Sequence, residues 1–493
     1  LWAVAGRGEL NPRPSSDELD AEYARQQADW AERLGRVHLH FPAVARDIED
    51  AFYAQLGWIL VNRDGPAIQP GSRTYDRTWI RDGALTATAL LYTGHAEEVR
   101  EFLDWFRGFQ YENGKVPCCA DERGPDPVPE HDSHGQYVYG VATYHRFTHD
   151  DAFLRRHWPN VQKAVGYIEF LRAQRMTPEY AQAEGLKRAM YGLVPESISH
   201  EGYSAKPMHS YWDDLFTLRG LKDAAYIAEE LGEADAAGKY AGLRDEFAAA
   251  LVDSVQRAAA FHRIDYVPGC VELGDFDATS TAVAVFPCDA AGLLPTNLLE
   301  RTFDKAWENF VVRRDGVRTW NDYTPYENRM ISAMLMLGHP DRAHAMLGWY
   351  MKDQNPPGWR QWSEIVWRDK EAPRFVGDTP HTWVGSDFLK AIRNLCVFER
   401  ESDQALVIGA GLPLEWLRAA RADGAIGVKI ADFPTKYGPI SFTASATESE
   451  VTFEVSGGAS PPGGVIVAPW CGKPVEPVRA GSLPAAVKVA IPR

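Results

Sequence analysis

Tyr326-Glu-Asn-Arg-Met-Ile-Ser-Ala-Met-Leu-Met-Leu337-Gly-His-Pro340-Asp-Arg-Ala-His-Ala-Met-Leu-Gly-Trp-Tyr-Met351 holds two apolar-periodic runs with a glycine and a proline between them. Apolar residues recur at three-to-four spacing on both sides of the break, which is the helical period, and Gly338 followed by Pro340 supplies a stop and a new start. The stretch predicts an αα-hairpin. Similar punctuation stands at Thr93-Gly94-His95 and Leu231-Gly-Glu. The same period runs through Asp17 to Leu34, Thr86 to Tyr92, Ala96 to Phe109, Gln136 to Phe147 and Asp151 to Gln174. It continues through Tyr211 to Leu231, Ala234 to Ala260, Asn297 to Val311 and His381 to Glu399. Together these give about a dozen helices, arranged in pairs.

Between the pairs lie irregular segments rich in aromatic and charged residues: Gln69 to Trp79, Pro117 to Gly135, Leu193 to His209, Gly316 to Pro325 and Asn355 to Pro380. Long loops on alternate junctions of a helical array gather at one end and make that end the functional surface. A toroid of six helical hairpins, (α/α)6, has this arrangement. Beyond Gly409 the composition shifts to Val, Ile, Thr, Gly and Pro in short alternating runs such as Ile440-Ser-Phe-Thr-Ala-Ser and Val451-Thr-Phe-Glu-Val, which read as a small β-sandwich. The expected division is a helical extension over 1–42, the barrel over 43–402 and the β-sandwich over 403–493. Leu412-Pro-Leu-Glu-Trp416 makes the join, and the β-domain is expected to cover apolar surface on the toroid.

A chain of 493 residues with 45% hydrophobic content can bury a large core. Its sixteen tryptophans include several in polar surroundings, Trp79, Trp212, Trp320, Trp359, Trp362 and Trp383. A net charge of −16 argues against a nucleic-acid backbone or an anionic membrane as partner and leaves a neutral substrate. No apolar run reaches the length of a membrane span and no signal-peptide pattern is present. The chain opens on Leu1, which leaves room for removed targeting information and an upstream domain. Six cysteines show no metal-ligand spacing, and Cys118-Cys119 read as two buried thiols ahead of a strained vicinal disulfide. No cofactor or metal is implied.

The chemistry gathers around Trp362-Ser-Glu364 and the later His381-Thr-Trp383. One carboxylate sits among indole rings, Arg360 and Arg368. Sugar sites need this mixture, because aromatic faces stack on pyranose rings, charged groups bind hydroxyls and a carboxylate handles a proton or a water.

Three motifs in order carry a resemblance. Trp79-Ile-Arg81-Asp82-Gly-Ala-Leu resembles the segment of glucoamylases and related (α/α)-toroid glycoside hydrolases in which an Arg-Asp pair grips the terminal sugar. Pro129-Glu-His-Asp132-Ser-His-Gly is similar to the segment opening their third hairpin, and Trp-Ser-Glu364 followed by Pro-His-Thr-Trp383 resembles their base-bearing loop and final barrel helix. The match spans roughly residues 45–400. It implies an exo-acting, anomer-inverting hydrolase of a neutral, glucoside-like oligo- or polysaccharide, with Glu364 activating water.

Read from the residues alone, Arg81 and Asp82 fit either a capping salt bridge or hydroxyl binding, and Asp132 with Glu130, His131 and His134 fits a hydroxyl contact better than a metal cluster. Trp79, Trp362, Trp383 and Tyr323 are expected as subsite walls, His381 as a further hydroxyl contact, and Trp212 as a binding aromatic. Glycoside hydrolysis needs a second carboxyl group to protonate the leaving oxygen, about 6.5–9.5 Å from the base in an inverting enzyme. The glucoamylase Trp-Glu-Glu run is missing here. Four carboxylates compete, in the order Glu201, Asp214, Asp213 and Glu196; an Asp near the Tyr211 helix start also fits N-capping. A polysaccharide lyase on a helical toroid and a non-catalytic glycan-binding scaffold are the alternatives. The acidic composition shows no basic groove for a uronate, and a scaffold needs no opposed carboxylates.

Overall fold

Helices that are apolar on every side must be surrounded, and those that are apolar on one stripe must lie on the outside. Ile80–Tyr92 is buried at every residue and so is Thr382–Cys396. Ala96–Phe106 buries only the stripe Glu98, Val99, Phe102, Leu103 and Phe106. The computed structural model describes residues 15–371, 373–473 and 475–492. Within them an inner ring comprises Ile80–Tyr92, Asp132–Thr148, Tyr211–Leu231, the short Ala278–Thr281 with the 3-10 turn Ala282–Ala284, Arg329–Met336 and Thr382–Cys396. Each packs against the next and the last returns to the first. Arg46–Val61, Ala96–Phe106, Asp151–Ala173, Ala234–His262, Thr296–Arg314 and Pro340–Tyr350 form the outer layer. The result is an (α/α)6 toroid.

The hairpin expected from 326–351 appears as Arg329–Met336 and Pro340–Tyr350, with Gly338 at φ 85° in the turn and Pro340 in the first turn of the second helix. Two elements lie outside the expected set: Arg46–Val61, although Ile48, Ala51, Phe52, Leu56, Ile59 and Leu60 recur at helical spacing, and Ala278–Ala284, which is too short for a period to register. Inner helices also begin earlier than their apolar runs, at Ile80 and at Asp132. The first turn at Ile80 carries Arg81 and Asp82 because it opens onto the site, whereas the one at Asp132 is polar but buried.

The β-rich end is a two-sheet sandwich. The larger sheet runs, in spatial order, His38–His40, Val428–Phe433, Ile440–Ala446, Glu450–Gly457 and Ala485–Ala490, antiparallel throughout. The smaller runs Val478–Arg479, Val465–Val467, Ala405–Ile408 and Val397–Arg400. These sheets draw in residues on both sides of the expected division, His38–His40 from the N-terminal extension and Val397–Arg400 directly from the last inner helix. The sheets press together closely: a Cβ on Gly409 would lie 2.4 Å from the Phe453 ring. Trp416 packs on Phe41 at 4.7 Å and His344 at 5.2 Å between ring centroids. The join thereby covers the outer helix that bears His344.

The inner ring is tightest where Asp132–Thr148 meets Tyr211–Leu231. A Cβ on Gly135 would sit 1.8 Å from the Phe216 carbonyl oxygen, and one on Gly220 would sit 2.5 Å from Cα of Gly135. Backbone faces backbone there, so no side chain can rotate away. Gly135→Ala is expected to lower stability by roughly 2–3 kcal/mol through overpacking, measured by urea unfolding, whereas Gly166→Ala, in open space on an outer helix, should leave stability unchanged or slightly raised.

Candidate active site

The inner helices open directly after the long loops, and the N-terminal residues of four of them, those starting at Ile80, Ala278, Arg329 and Thr382, line one pocket of about 380 Å³. Trp79 is the residue before Ile80–Tyr92; His381 caps Thr382–Cys396, its Nδ1 accepting from the Val384 N–H at 3.4 Å; Asp277 caps Ala278–Thr281, accepting from the Ser280 N–H at 2.9 Å. Each of these residues also lines the pocket. Helix N-termini leave backbone N–H groups unsatisfied and carry a partial positive charge, so this end of the ring favours carboxylates.

Glu364 stands on the wall between two phenols. The Tyr75 hydroxyl donates to its Oε2, and Tyr326 donates to Oε1 at 3.3 Å. Tyr326 also faces His381 Nε2 at 3.3 Å. With Nδ1 occupied as an acceptor, Nε2 carries the ring proton and donates to the phenol, which orients the phenol proton toward Glu364. Burial raises the Glu364 carboxyl and outweighs the two hydrogen bonds that lower it. His381, wholly enclosed, is pushed down to about 3 and is neutral at ordinary pH.

The loop carrying Tyr75 is strapped to the Glu364 loop by Asp378. Its carboxylate accepts from the backbone N–H groups of Arg73 at 2.8 Å, Thr74 at 3.0 Å and Tyr75 at 3.0 Å. Gly377, at φ 73°, is required beside it, since a Cβ would meet Glu364 Oε2 at 2.7 Å.

Across the pocket Arg81 is surrounded by acids. Its Nη1 donates to Glu130 at 2.6 Å and lies 3.9 Å from Asp132, Nε lies 3.5 Å from Asp82, and Nη2 lies 3.6 Å from Glu201. The guanidinium also lies over the Trp383 ring at 5.3 Å. Burial pushes the Asp82 carboxyl up to about 7 against the pull of Arg81, with Glu201 and Glu364 adding. Asp82 Oδ2, the oxygen nearest Arg81 Nε, is buried and makes no hydrogen bond. Glu130, behind Arg81, is pushed by burial to about 8, again against Arg81. Glu201 is the exception in exposure: its side chain is 50% accessible, against 5% for Arg81.

The sequence-derived candidates separate into two groups. Trp79, Arg81, Asp82, Glu201, Glu364, His381 and Trp383 line the pocket. Asp132, Trp212, Asp213, Asp214, Trp362 and Tyr323 do not. Asp132 is fully buried and accepts from Trp212 Nε1 at 2.7 Å and Gln136 at 2.8 Å. Trp212 lies beneath His200, stacked at 5.0 Å. Asp213 accepts from the hydroxyls of Ser197 at 2.6 Å and Ser199 at 2.8 Å, holding the loop that delivers Glu201. Asp214 accepts from the Val194 N–H at 3.2 Å, and the N-cap of that helix is Ser210 rather than either aspartate. Both aspartates are enclosed, their carboxyls raised by burial. Glu196 pairs with Arg175 and is absent from the wall. Trp362 is inside the core, its Nε1 donating to the Tyr350 carbonyl at 3.0 Å. Tyr323 donates to Asp353 at 3.1 Å and stacks on Tyr350.

Sequence reading missed Tyr326, Arg329, His200 and Asp277 as wall residues. Tyr326 and Arg329 fell inside the predicted 326–337 helix; the signal was that polar residues opening other inner helices also face the pocket. His200 donates to or accepts from Ser280 at 2.9 Å, and Asp277 is held down at about 2 by His200 and Ser280 despite burial. Cys118 and Cys119 are buried free thiols, Sγ atoms 3.5 Å apart. Among the described residues no group of three or more His, Cys, Asp or Glu side chains is placed to hold a metal, and no helix is long and apolar enough to cross a membrane.

The Asp378 strap has a pH signature. Burial alone would raise this carboxyl, but the three N–H groups outweigh it and hold it below its ordinary value. A depressed folded value contributes stability that is present above the unfolded pKa of about 4 and is lost as pH falls through the folded one. Asp378→Asn should therefore be less stable than wild type at pH 7 by roughly 2 kcal/mol, with the gap narrowing as pH falls from 5 toward 3 in chemical unfolding. An unchanged gap would remove the strap from this account.

A family model for the bacterial alpha-L-rhamnosidase six-hairpin glycosidase domain matches residues 76–284. That segment holds Trp79, Arg81, Asp82 and Glu201 and ends before Glu364. No curated protein matches the chain. The alpha-L-rhamnosidase from Dictyoglumus thermophilum superposes with a TM-score of 0.58 at 12% identity, over 92% of this chain and 50% of that one. Alpha-L-rhamnosidase of Streptomyces avermitilis, complexed with L-rhamnose, gives 0.57 at 16%, over 92% and 41%. A Klebsiella oxytoca rhamnosidase with rhamnose bound gives 0.51 at 16%, over 71% and 64%. The chain thus spans between 41% and 64% of the length of these relatives. At such identities the likeness is one of fold, and this chain carries the six-hairpin, (α/α)6-toroid architecture of glycosidases with a β-sandwich at its C-terminal end.

Proposed function

We propose that the chain is an exo-acting, anomer-inverting glycoside hydrolase, with Glu364 as general base and Glu201 as general acid. The observation that carries the reading is a pair of carboxylates, Glu364 and Glu201, on the wall of one pocket whose other walls are Trp79, Trp383, Arg81 and Asp82. In this reading Glu364 takes a proton from a water that attacks the anomeric carbon. Two phenol donors fix its carboxylate for that task and favour its ionised form. Glu201 gives its proton to the departing glycosidic oxygen. Its half-exposed side chain on the pocket wall would be covered by a bound sugar. Asp82 and Arg81 bind hydroxyls of the terminal ring, and the indole of Trp79 stacks on its apolar face.

A volume of about 380 Å³ suits one terminal sugar and part of its neighbour, which favours release of single units from a chain end. The fold relatives are rhamnosidases, two of them described with rhamnose bound. This supports a terminal alpha-L-rhamnosyl unit as substrate in place of the glucoside-like unit expected from the sequence. At the low identities involved, the sugar is a proposal on fold analogy.

The acid and base assignments separate with a leaving-group series. Glu364→Gln should lower kcat by about 10³-fold or more on every substrate, since water activation is needed whatever departs. Glu201→Gln should fall by a similar factor on oligosaccharides and alkyl glycosides but by far less on nitrophenyl alpha-L-rhamnoside, whose phenolate departs unaided. Proton NMR of wild type should show the beta anomer first. Equal loss for Glu201→Gln on both substrate types would transfer the acid role elsewhere, and an alpha anomer first would exclude inversion.

A further inference from the structure

Glu201 stands on the pocket wall with little to hold its side chain there. Among the described residues its carboxylate is paired with Arg81 alone, at 3.6 Å, which is beyond hydrogen-bond distance, and half of the side chain is exposed. Its backbone lies in the left-handed region at φ 67°, and so does that of Ser199 at 56°. For a residue with a Cβ this conformation persists where the surrounding contacts determine it. The place of the carboxyl group is therefore decided by what grips the chain on either side of it.

Both flanking side chains are gripped, and by one segment. His200, directly before Glu201, stacks on the Trp212 indole, and its Nε2 stands 2.9 Å from the Ser280 hydroxyl. Ser280 gives its own hydrogen to Asp277 Oδ2 at 2.6 Å. Burial would raise Asp277, yet its bonds with His200 and Ser280 hold it down at about 2, so it is ionised and accepts. Ser280 Oγ therefore accepts from His200 Nε2, which carries a ring proton. Asp277 also takes the Ser280 N–H at 2.9 Å as N-cap of Ala278–Thr281. Tyr203, two residues after Glu201, donates its hydroxyl to Asp275 Oδ2 at 3.0 Å. Gly202 leaves no room for a side chain, since a Cβ there would lie 2.7 Å from the His200 ring. His200, Asp277 and Ser280 line the pocket beside Glu201, whereas Tyr203 and Asp275 do not.

Resting on the reading of Glu201 as general acid, we propose that segment 275–280 is what positions that acid: Asp277, through Ser280, holds His200, Asp275 holds Tyr203, and the two ties set the left-handed backbone from which the Glu201 carboxyl group reaches the glycosidic oxygen. His200 and Tyr203 are positioning residues in this account, because they act through Glu201. The shortest member of the inner ring thereby acquires a task, as the fixed point against which a loop with an exposed acid is braced.

The test is kinetic, on the full chain, with methyl and nitrophenyl alpha-L-rhamnosides as poor and good leaving groups. His200→Phe keeps a ring on Trp212 and loses both ring nitrogens; it should lower kcat by about 10²-fold on the methyl glycoside, the scale of an ångström of misplacement, and by no more than about threefold on the nitrophenyl one. Tyr203→Phe, which removes a hydroxyl outside the pocket, should show the same preference with a severalfold loss. His200→Gln, which can still donate to Ser280, should recover part of the rate. In a Glu201→Gln background His200→Phe and Tyr203→Phe should add nothing, because a residue that acts only through Glu201 has nothing left to position. Circular dichroism checks folding, and should His200→Phe unfold, Tyr203→Phe carries the same comparison. Equal losses on the two glycosides, a raised KM with kcat unchanged, or full additivity with Glu201→Gln would each overturn the positioning role. If Glu201→Gln itself loses equally on both glycosides, the acid assignment fails and the proposal falls with it; if Glu201→Gln discriminates while neither neighbour's variant does, the acid stands and the proposal alone is overturned.

Discussion

The guanidinium of Arg81, almost wholly out of water, holds together the acids at the centre of this protein. Asp82, Glu130, Asp132 and Glu201 all lie within ion-pair distance of it. Without that cation, buried carboxylates at such spacing would repel one another and shed their charge, and a buried pair broken on one side is strongly destabilising. With it, Glu130 becomes a support behind the ring, Asp82 is held on the pocket wall, and Glu201 is drawn to the wall from an otherwise exposed loop. Arg81 occupies the first turn of a helix that is buried along its whole length, so its place follows from the ring itself.

The loops that complete the pocket are fixed by carboxylates with no chemistry of their own. Asp378 binds three successive N–H groups and sets Tyr75 against Glu364; Asp213 binds two serine hydroxyls and sets the backbone that leads to Glu201. Ser199 and Glu201 both adopt positive φ, at 56° and 67°. Such conformations are disfavoured for residues with a Cβ and persist when surrounding contacts determine them. The hydrogen bonds that Asp213 accepts from Ser197 and Ser199 supply that determination for Ser199. In this arrangement the acceptor oxygens of a buried aspartate shape backbone.

The two ends of the toroid differ in electrostatic character for a reason built into the helices. Helix N-termini gather at the pocket and favour carboxylates, while the C-terminal ends favour cations. Arg146, in the last turn of Asp132–Thr148, follows this rule; Arg219 and Lys222 from mid-helix and Lys436 from the β-sandwich join it, and the strand Val397–Arg400 brings Glu399 to meet them. The β-sandwich therefore meets the ring through charge as well as through the apolar packing of Trp416.

Helical period and glycine-proline punctuation were enough, in the sequence, to indicate paired helices, a toroid and a change to β-structure after the last helix, because these depend on local patterns. The motif around Arg81 and Asp82 and the carboxylate at Glu364 were legible because their residue types are unusual in those surroundings. Which side chain faces the pocket was not legible for the rest. Trp212, Trp362 and Tyr323 carry the same composition signal as Trp79 and Trp383, yet the first three pack into the core and the last two line the wall. Asp213 and Asp214 looked equivalent to Glu201, but they fall one turn inside a buried helix while Glu201 remains on the loop before it. Orientation depends on where a helix starts and on which neighbours close around it, and those contacts join residues hundreds of positions apart, such as Tyr75 with Glu364 and Asp378. The sequence by itself determined the elements and their alternation, through short-range periodicity; the tertiary structure decided which polar residues share one enclosed space, because only ring closure brings the starts of four separate helices together.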